Sequence, residues 1–231
     1  MFKRDHHNKI LKVLHAMNSD ILAKSGAYFG GGTAIALQLD EYRESVDIDF
    51  LCDSTEGYSL LRSLVVNERL DGLFCQPIQY LRETRKDRDK IYTALEVDGT
   101  PIKFEIVLEA RIKFDTMPID QTLQVPVLSK TDLIAEKLLA TSDRGLDRDF
   151  FSRDLIDIAM MMHAWGEIPM QAWQKAGKAY SPSVIKRDYD AARRLLSNDT
   201  YRKICLSNMN IDDHLDQIII DKLNLSEFCE L

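Results

Sequence analysis

Asp47 and Asp49 flank a single isoleucine in Val46-Asp47-Ile48-Asp49-Phe50, a run that alternates acidic and apolar residues. Successive side chains of a strand point to opposite faces. The two aspartates therefore share one face, and Val46, Ile48 and Phe50 take the other. Alternate residues lie about 6.6 Å apart along a strand, a separation at which two carboxylates can converge on divalent cations placed between and above them. A pair of Mg²⁺ ions roughly 3.5–4 Å apart clamps the attacking and leaving oxygens of a phosphoryl transfer. Taken alone, the pattern is also that of a half-buried strand with a solvated acidic face.

Glu105 extends the pattern. In Ile102-Lys103-Phe104-Glu105-Ile106-Val107-Leu108, one face is Ile102, Phe104, Ile106 and Leu108, and Glu105 lies on the other with Lys103 and Val107. If this strand pairs beside Asp47 and Asp49, it brings a third carboxylate to the same cations. Three carboxylates on adjacent strands repel one another and each is penalised by desolvation, so the arrangement calls for bound cations. Glu96 and Glu109 are alternative third acids.

Upstream stand three consecutive glycines, Gly30, Gly31 and Gly32, between the apolar pair Tyr28-Phe29 and the helix-forming run Thr33 to Leu39. Glycine accepts positive φ and lets backbone approach a ligand closely. A glycine turn from strand to helix also presents N–H groups at the positive end of the helix, which suits phosphate. The plainer alternative is a tight turn where a helix crosses close to a strand.

These residues need elements to hold them. Ile10, Leu14, Met17 and Ile21 predict one amphipathic helix over about 5 to 25, closed by Gly26. Tyr28-Phe29 reads as a short strand, 33 to 39 as a helix, 46 to 51 as a strand and 58 to 70 as a helix. Strands are predicted over about 77 to 83, 90 to 97 and 101 to 109, with a hairpin at Asp98-Gly99. After Pro126 the texture becomes helical. Ser129 or Thr131 can cap one helix and Ser152 another, and further helical runs lie near 169 to 180, 183 to 197 and 211 to 223. The expectation is an α+β domain with a mixed sheet over 1–125 and a helical domain over 126–231.

The chain has 231 residues, 45% hydrophobic and 29% charged, the balance of a protein with a substantial core. No apolar run approaches the roughly 20 residues of a membrane span, and the polar start, Met-Phe-Lys-Arg-Asp-His-His, does not read as a secretory signal. Cys52, Cys75, Cys205 and Cys229 form no CxxC pair, which argues against zinc and a disulfide framework and fits a reducing cytoplasm. A formal net charge of −7 excludes a broadly basic nucleic-acid binder but leaves room for a local basic patch. Arg82 to Lys90 holds five basic and three acidic residues. Lys186, Arg187, Arg193 and Arg194 form a second cluster. Either is a candidate RNA contact or a solvated face. His6-His7 and His163 offer no ligand spacing.

Gly31-Gly32-Thr33, Arg43-Glu44-Ser45 and Asp47-Ile48-Asp49 together resemble the DNA polymerase β-type nucleotidyltransferase superfamily. More narrowly, GGTA…R-x-S-x-DIDF resembles the nucleotidyltransferase toxins of abortive-infection and type IV toxin–antitoxin systems, the AbiEii/AbiGii type. Ala135-Glu136-Lys137-Leu138-Leu139-Ala140 and Arg153-Asp154-Leu155-Ile156-Asp157-Ile158 are similar to that family's "KLxA…RDxxDI" region. The resemblance covers about residues 28 to 160.

It implies a polymerase β-type nucleotidyltransferase domain followed by a helical domain. It implies Mg²⁺-dependent transfer of a nucleoside monophosphate from NTP to an RNA 3′ end such as that of tRNA, and a cognate antitoxin as partner. Carried over, Gly31, Gly32 and Thr33 hold the triphosphate, Asp47 and Asp49 bind metal, and Glu105 is the third acid. Lys137 is a phosphate contact, and Asp154 or Asp157 is the acid of the helical lobe. Arg43 and Ser45 orient the metal loop, unless Arg43 pairs with Asp40 or Glu41. Lys137 also reads as a lysine snorkelling from a buried stripe, and Asp154 and Asp157, three apart on one helical face, as structural partners of Arg144 or Arg148. Two other outcomes remain: transfer to a protein hydroxyl, which the acidic balance favours, or a catalytically silent scaffold that binds a partner.

Overall fold

The computed structural model describes residues 1–67 and 69–228. Its strands are β1 (Ala27–Gly30), β2 (Ile48–Cys52), β3 (Gln79–Tyr80), β4 (Arg85–Lys86), β5 (Lys90–Val97) and β6 (Thr100–Leu108). They form one mixed sheet in the order β1-β2-β6-β5-β3, with β4 also on β5. β2 and β6 run parallel and the other pairs antiparallel. β4 and β3 share one edge of β5, β4 against its first residues and β3 against Leu95 and Glu96. Asp98 (φ 49°) and Gly99 (φ 73°) make the hairpin between β5 and β6, both in the left-handed region that a two-residue hairpin turn needs.

The alternation of apolar residues decides which face is buried. Phe29, Phe50, Ile106 and Ile91 are paired in sequence across β1, β2, β6 and β5, and all are fully buried. Ring centroids of Phe29 and Phe50 lie 5.6 Å apart, and those of Phe50 and Phe104 6.0 Å apart. Each such side chain contributes about 1.5–3 kcal/mol by leaving water. Val46 differs from expectation. It precedes β2 and is 45% exposed, so the buried face begins at Ile48.

The helices of this half are α1 (Asp5–Ala16), α2 (Ser19–Ser25), α3 (Gly31–Gln38) and α4 (Thr55–Ser63). The single helix predicted over 5 to 25 is two, because Asn18 starts a new one. Its side chain accepts from the Ile21 N–H (3.2 Å), and Met17 is extended. Leu22 rather than Ile21 is then fully buried. Gly26 (φ 63°) closes α2. The helix predicted over 58 to 70 ends at Ser63, and Glu68 lies outside the described residues.

The chain divides into two compact units, one of Met1–Leu37 with Ser45–Ser129, the other of Gln38–Glu44 with Lys130–Leu231. The helical unit holds α5 (Lys130–Arg144), α6 (Arg153–Trp165), α7 (Met170–Ala179), α8 (Pro182–Leu196), α9 (Asp199–Asn208) and α10 (Asp216–Lys222). α5 packs on α6, α7 and α8. α9 is an additional helix, capped by the Asn198 side chain on the Tyr201 N–H. Ser152 does precede α6, but with φ 47° and no capping bond, and its hydroxyl meets Tyr201 Oη instead at 3.2 Å. Cys52 and Cys205 are buried and Cys75 exposed, all as free thiols, while Cys229 lies outside the described residues. No described helix is long and apolar enough to cross a membrane.

Candidate active site

The polar face of the sheet carries one continuous row. Gly30 of β1 is paired with Asp49 of β2, Asp49 with Glu105 of β6, Glu105 with Tyr92 of β5, and Tyr92 with Arg85 of β4. Directly paired residues lie on the same face and neighbouring strands are about 4.8 Å apart. The parallel register of β2 and β6 thus brings Asp49 and Glu105 side by side. Glu96 and Glu109 stand elsewhere. Glu96 pairs with Pro101 and Gln79, and Glu109 follows β6, bound to Arg111 (Nη2–Oε2 2.7 Å).

Gly31 turns the chain from β1 into α3 with φ 67°. A Cβ there would lie 2.6 Å from Asp49 Oδ2, and one on Gly30 would lie 2.5 Å from a Leu51 methyl. Backbone and carboxylate approach so closely that no side chain fits between them. Gly32 lies in the first turn of α3.

Asp47 stands just before β2, half-exposed, on a segment fixed from two sides. The buried Thr33 hydroxyl donates to the Asp47 carbonyl (2.6 Å) and hydrogen-bonds Ser45 Oγ (2.8 Å). His6 Nε2 donates to the Val46 carbonyl (3.1 Å), and the Ser45 N–H donates to Nε2 of the buried His7 (3.2 Å). Thr33 and Ser45 therefore position the acid-bearing segment, and so do two histidines that spacing alone does not single out. Their partners are 38 and 40 residues away.

Cations already gather at Glu105. Lys90 Nζ lies 2.6 Å and Lys103 Nζ 2.8 Å from Oε1, and Lys103 reaches to 4.0 Å from Asp47. Burial pushes the Glu105 carboxyl up, but these two ammonium groups outweigh it and hold it below the ordinary carboxylate value. Lys103 is opposed by its own burial and raised on balance by Glu105. Among the described residues, no three His, Cys, Asp or Glu side chains converge closely enough to cage a cation. The donor set still suits a hard divalent ion, since it is all carboxylate oxygen on one polar face and already draws positive charge. For such an ion to bind, Lys103 has to release Glu105.

The remaining predicted residues meet inside the helical unit. Arg43 binds Asp157 with both arms of its guanidinium (Nε–Oδ1 2.7 Å, Nη2–Oδ2 3.0 Å) and donates to the Glu44 carbonyl (2.9 Å). Its partner is thus Asp157, not Asp40 or Glu41. Those two residues adopt consecutive left-handed conformations (φ 58° each) that aim Tyr42 and Arg43 inward. Tyr42 Oη donates to Asp157. The Lys137 ammonium lies 2.7 Å from both Asp154 and Asp157 and is 7% exposed. Arg144 grips Asp154 (Nε–Oδ2 2.7 Å, Nη2–Oδ1 3.1 Å), whereas Arg148 lies over the Tyr201 ring. Burial pushes both aspartates up, and the facing cations overcome it, Lys137 and Arg144 for Asp154, Arg43 and Lys137 for Asp157. Both carboxyls end below the ordinary range. Lys137, opposed by burial, is raised by the two acids.

Two Helicobacter pylori structures resemble this chain. A candidate nucleotidyltransferase is 14% identical, with 97% of this chain and 92% of that one covered and a TM-score of 0.49. JHP933 is 15% identical, with 84% and 98% covered and a TM-score of 0.38. No curated protein matches the chain. The family described as nucleotidyl transferase AbiEii toxin, type IV TA system, matches residues 12–214. That span includes both constellations of polar residues, and the chain belongs to this family of nucleotidyltransferases.

Proposed function

We propose that the protein is the toxin of a type IV toxin–antitoxin or abortive-infection pair. It transfers a nucleoside monophosphate from NTP to an RNA 3′ end, such as that of tRNA, in the cytoplasm, and a cognate antitoxin restrains it. The observation that carries this reading is the Gly31–Asp49–Glu105 alignment. A glycine turn at a helix start, which suits a triphosphate, adjoins two carboxylates on neighbouring strands.

In this reading the N–H groups of Gly31 and Gly32 hold the β- and γ-phosphates. Asp47, Asp49 and Glu105 would hold Mg²⁺, which when bound would lower the pKa of the acceptor hydroxyl and offset the charge of the leaving pyrophosphate. The hydroxyl gives its proton to solvent, its oxygen bonds to the α-phosphorus, and the opposite bond to the bridging oxygen breaks to release pyrophosphate. Thr33, Ser45, His6 and His7 fix the segment that carries Asp47, so the acid is oriented before substrate arrives. Arg43, Asp157, Lys137 and Asp154 form a charged lattice that holds the 38–44 segment in the helical unit, and Lys137 is the residue of that lattice proposed to meet phosphate.

Incubation with each α-labelled NTP, Mg²⁺ and total cell lysate tests the proposal. Label is expected in RNA, and treatment with nuclease should remove it. Label confined to protein would replace the RNA acceptor by a protein hydroxyl. Absence of label from every fraction would leave a silent scaffold.

A further inference from the structure

The row across the sheet continues past the acids, on the side away from the glycine turn. Tyr92 lies one strand beyond Glu105 and Arg85 one strand beyond Tyr92, about 5 and 10 Å across the sheet. A groove of ≈ 980 Å³ opens over this region, lined among others by Arg82, Arg85, Lys90, Tyr92, Lys103 and Glu105. Arg82 and Arg85 are exposed, and neither has a carboxylate partner among the described residues. The half-buried Tyr92 ring already engages a cation, the Lys90 ammonium 5.3 Å from its centroid, and a base that stacks on that face takes the place of Lys90.

Direction decides what the groove receives. In an in-line displacement the attacking and leaving oxygens lie on opposite sides of the phosphorus. With the β- and γ-phosphates held at Gly31, the leaving pyrophosphate lies toward β1, so the attacking hydroxyl arrives from the β5 and β4 side. We propose that the face formed by Tyr92, Arg85 and Arg82 is the track for the acceptor strand, with a base stacked on Tyr92 and phosphates on Arg85 and Arg82. This rests on the nucleotidyl-transfer reading above and adds to it the residues that hold an unpaired acceptor strand. A flat aromatic platform flanked by arginines suits an unpaired strand, because every base has a π face to stack and every link a phosphate. Arg82, Arg85 and Lys90, the three basic residues of this run that line the groove, are then a strand-binding edge, although the whole chain carries net charge −7.

The test uses the full chain and a short 5′-fluorescein single-stranded RNA, with binding read by anisotropy over a range of salt. Tyr92→Ala is expected to weaken binding about 5- to 150-fold, the usual loss for one stacked base, and Tyr92→Phe to retain it. Arg85→Ala should lower the slope of log K against log salt by about 0.7, one phosphate contact, and Arg85→Glu should weaken binding further. Affinity for NTP, measured separately with labelled nucleotide, should stay at the wild-type value in all four variants. Arg85 is exposed, so its variants keep the test valid even if Tyr92→Ala melts early. RNA binding insensitive to both positions, or no RNA binding by the wild type, overturns the track. Failure of the wild type to bind NTP or transfer label would instead overturn nucleotidyl transfer, while the anisotropy series still reports on the track.

Discussion

Asp49 and Glu105 are direct partners across the parallel pairing of β2 and β6, with the backbone of Gly31 packed against the Asp49 carboxylate from the other side. Two like charges so placed need a cation between or beside them, and Lys103 and Lys90 supply positive charge at Glu105. Lysine and divalent metal therefore compete for one carboxylate. Lys103→Met is expected to tighten Mn²⁺ binding, read by paramagnetic resonance or calorimetry, because the competing ammonium is gone. Asp49→Asn should abolish metal binding and cut transfer on the order of a hundredfold or more, with an unchanged circular dichroism spectrum. Unaltered Mn²⁺ affinity in Asp49→Asn would remove Asp49 from the metal site.

Gly31 offers a sharper test of the turn. Alanine there must adopt φ near 67°, at a cost of roughly 1–2 kcal/mol, and its Cβ would displace the Asp49 carboxylate. Gly31→Ala should lower the melting temperature by several degrees and also weaken NTP and Mn²⁺ binding. A destabilised variant with normal affinity for both ligands would make the turn purely structural.

Local chemistry made some of this legible in the sequence. Strand alternation placed Asp49 and Glu105 on faces opposite the phenylalanines, and Asp98-Gly99 announced the hairpin that joins β5 to β6. What alternation cannot give is register between strands distant in the chain. Asp49 opposite Glu105 depends on β2 pairing with β6 more than fifty residues later. The same limit hid His6 and His7, whose value lies in bonds to Val46 and Ser45. Other differences are local competitions. Asn18 capping ended a helix that periodicity would have continued, and the two-residue β4 exists only because β5 offers it an edge.

The lattice of the helical unit sets a pH window. Asp154 and Asp157 have folded pKa values below their unfolded value near 3.8, so the stability they contribute is present above that pH and is lost as pH falls through the depressed values. Lys137 is raised above 10.5, so its contribution is full below that pH and is lost as pH rises through its folded value. Denaturant unfolding should thus show a plateau for this lattice from about pH 4 to 10. Asp154→Asn should be less stable on the plateau and show a shallower acid limb. An acid limb identical to wild type would show that Asp154 gains nothing from Lys137 and Arg144.

Lys137 separates the two roles open to it. Its ammonium is buried between two carboxylates, 2.7 Å from each. Removing one partner of a buried ion pair leaves an uncompensated charge and costs about 3–5 kcal/mol. Here Arg144 still faces Asp154 and Arg43 still faces Asp157, so the loss should fall toward the lower end of that range. Lys137→Ala is therefore expected to lower the unfolding midpoint markedly. Lys137→Met fills the volume without the charge and should recover little of that stability, because the acids remain. The double variant Lys137→Met/Asp154→Asn should recover more, since it also removes one of the two charges. A phosphate contact makes a different forecast for the same double variant. Its stability would be restored, yet its KM for NTP would stay high, because no neutral side chain replaces an ammonium at a phosphate oxygen. Recovery of stability with a normal KM assigns Lys137 to the lattice alone. Recovery of stability with a raised KM assigns it to the triphosphate as well.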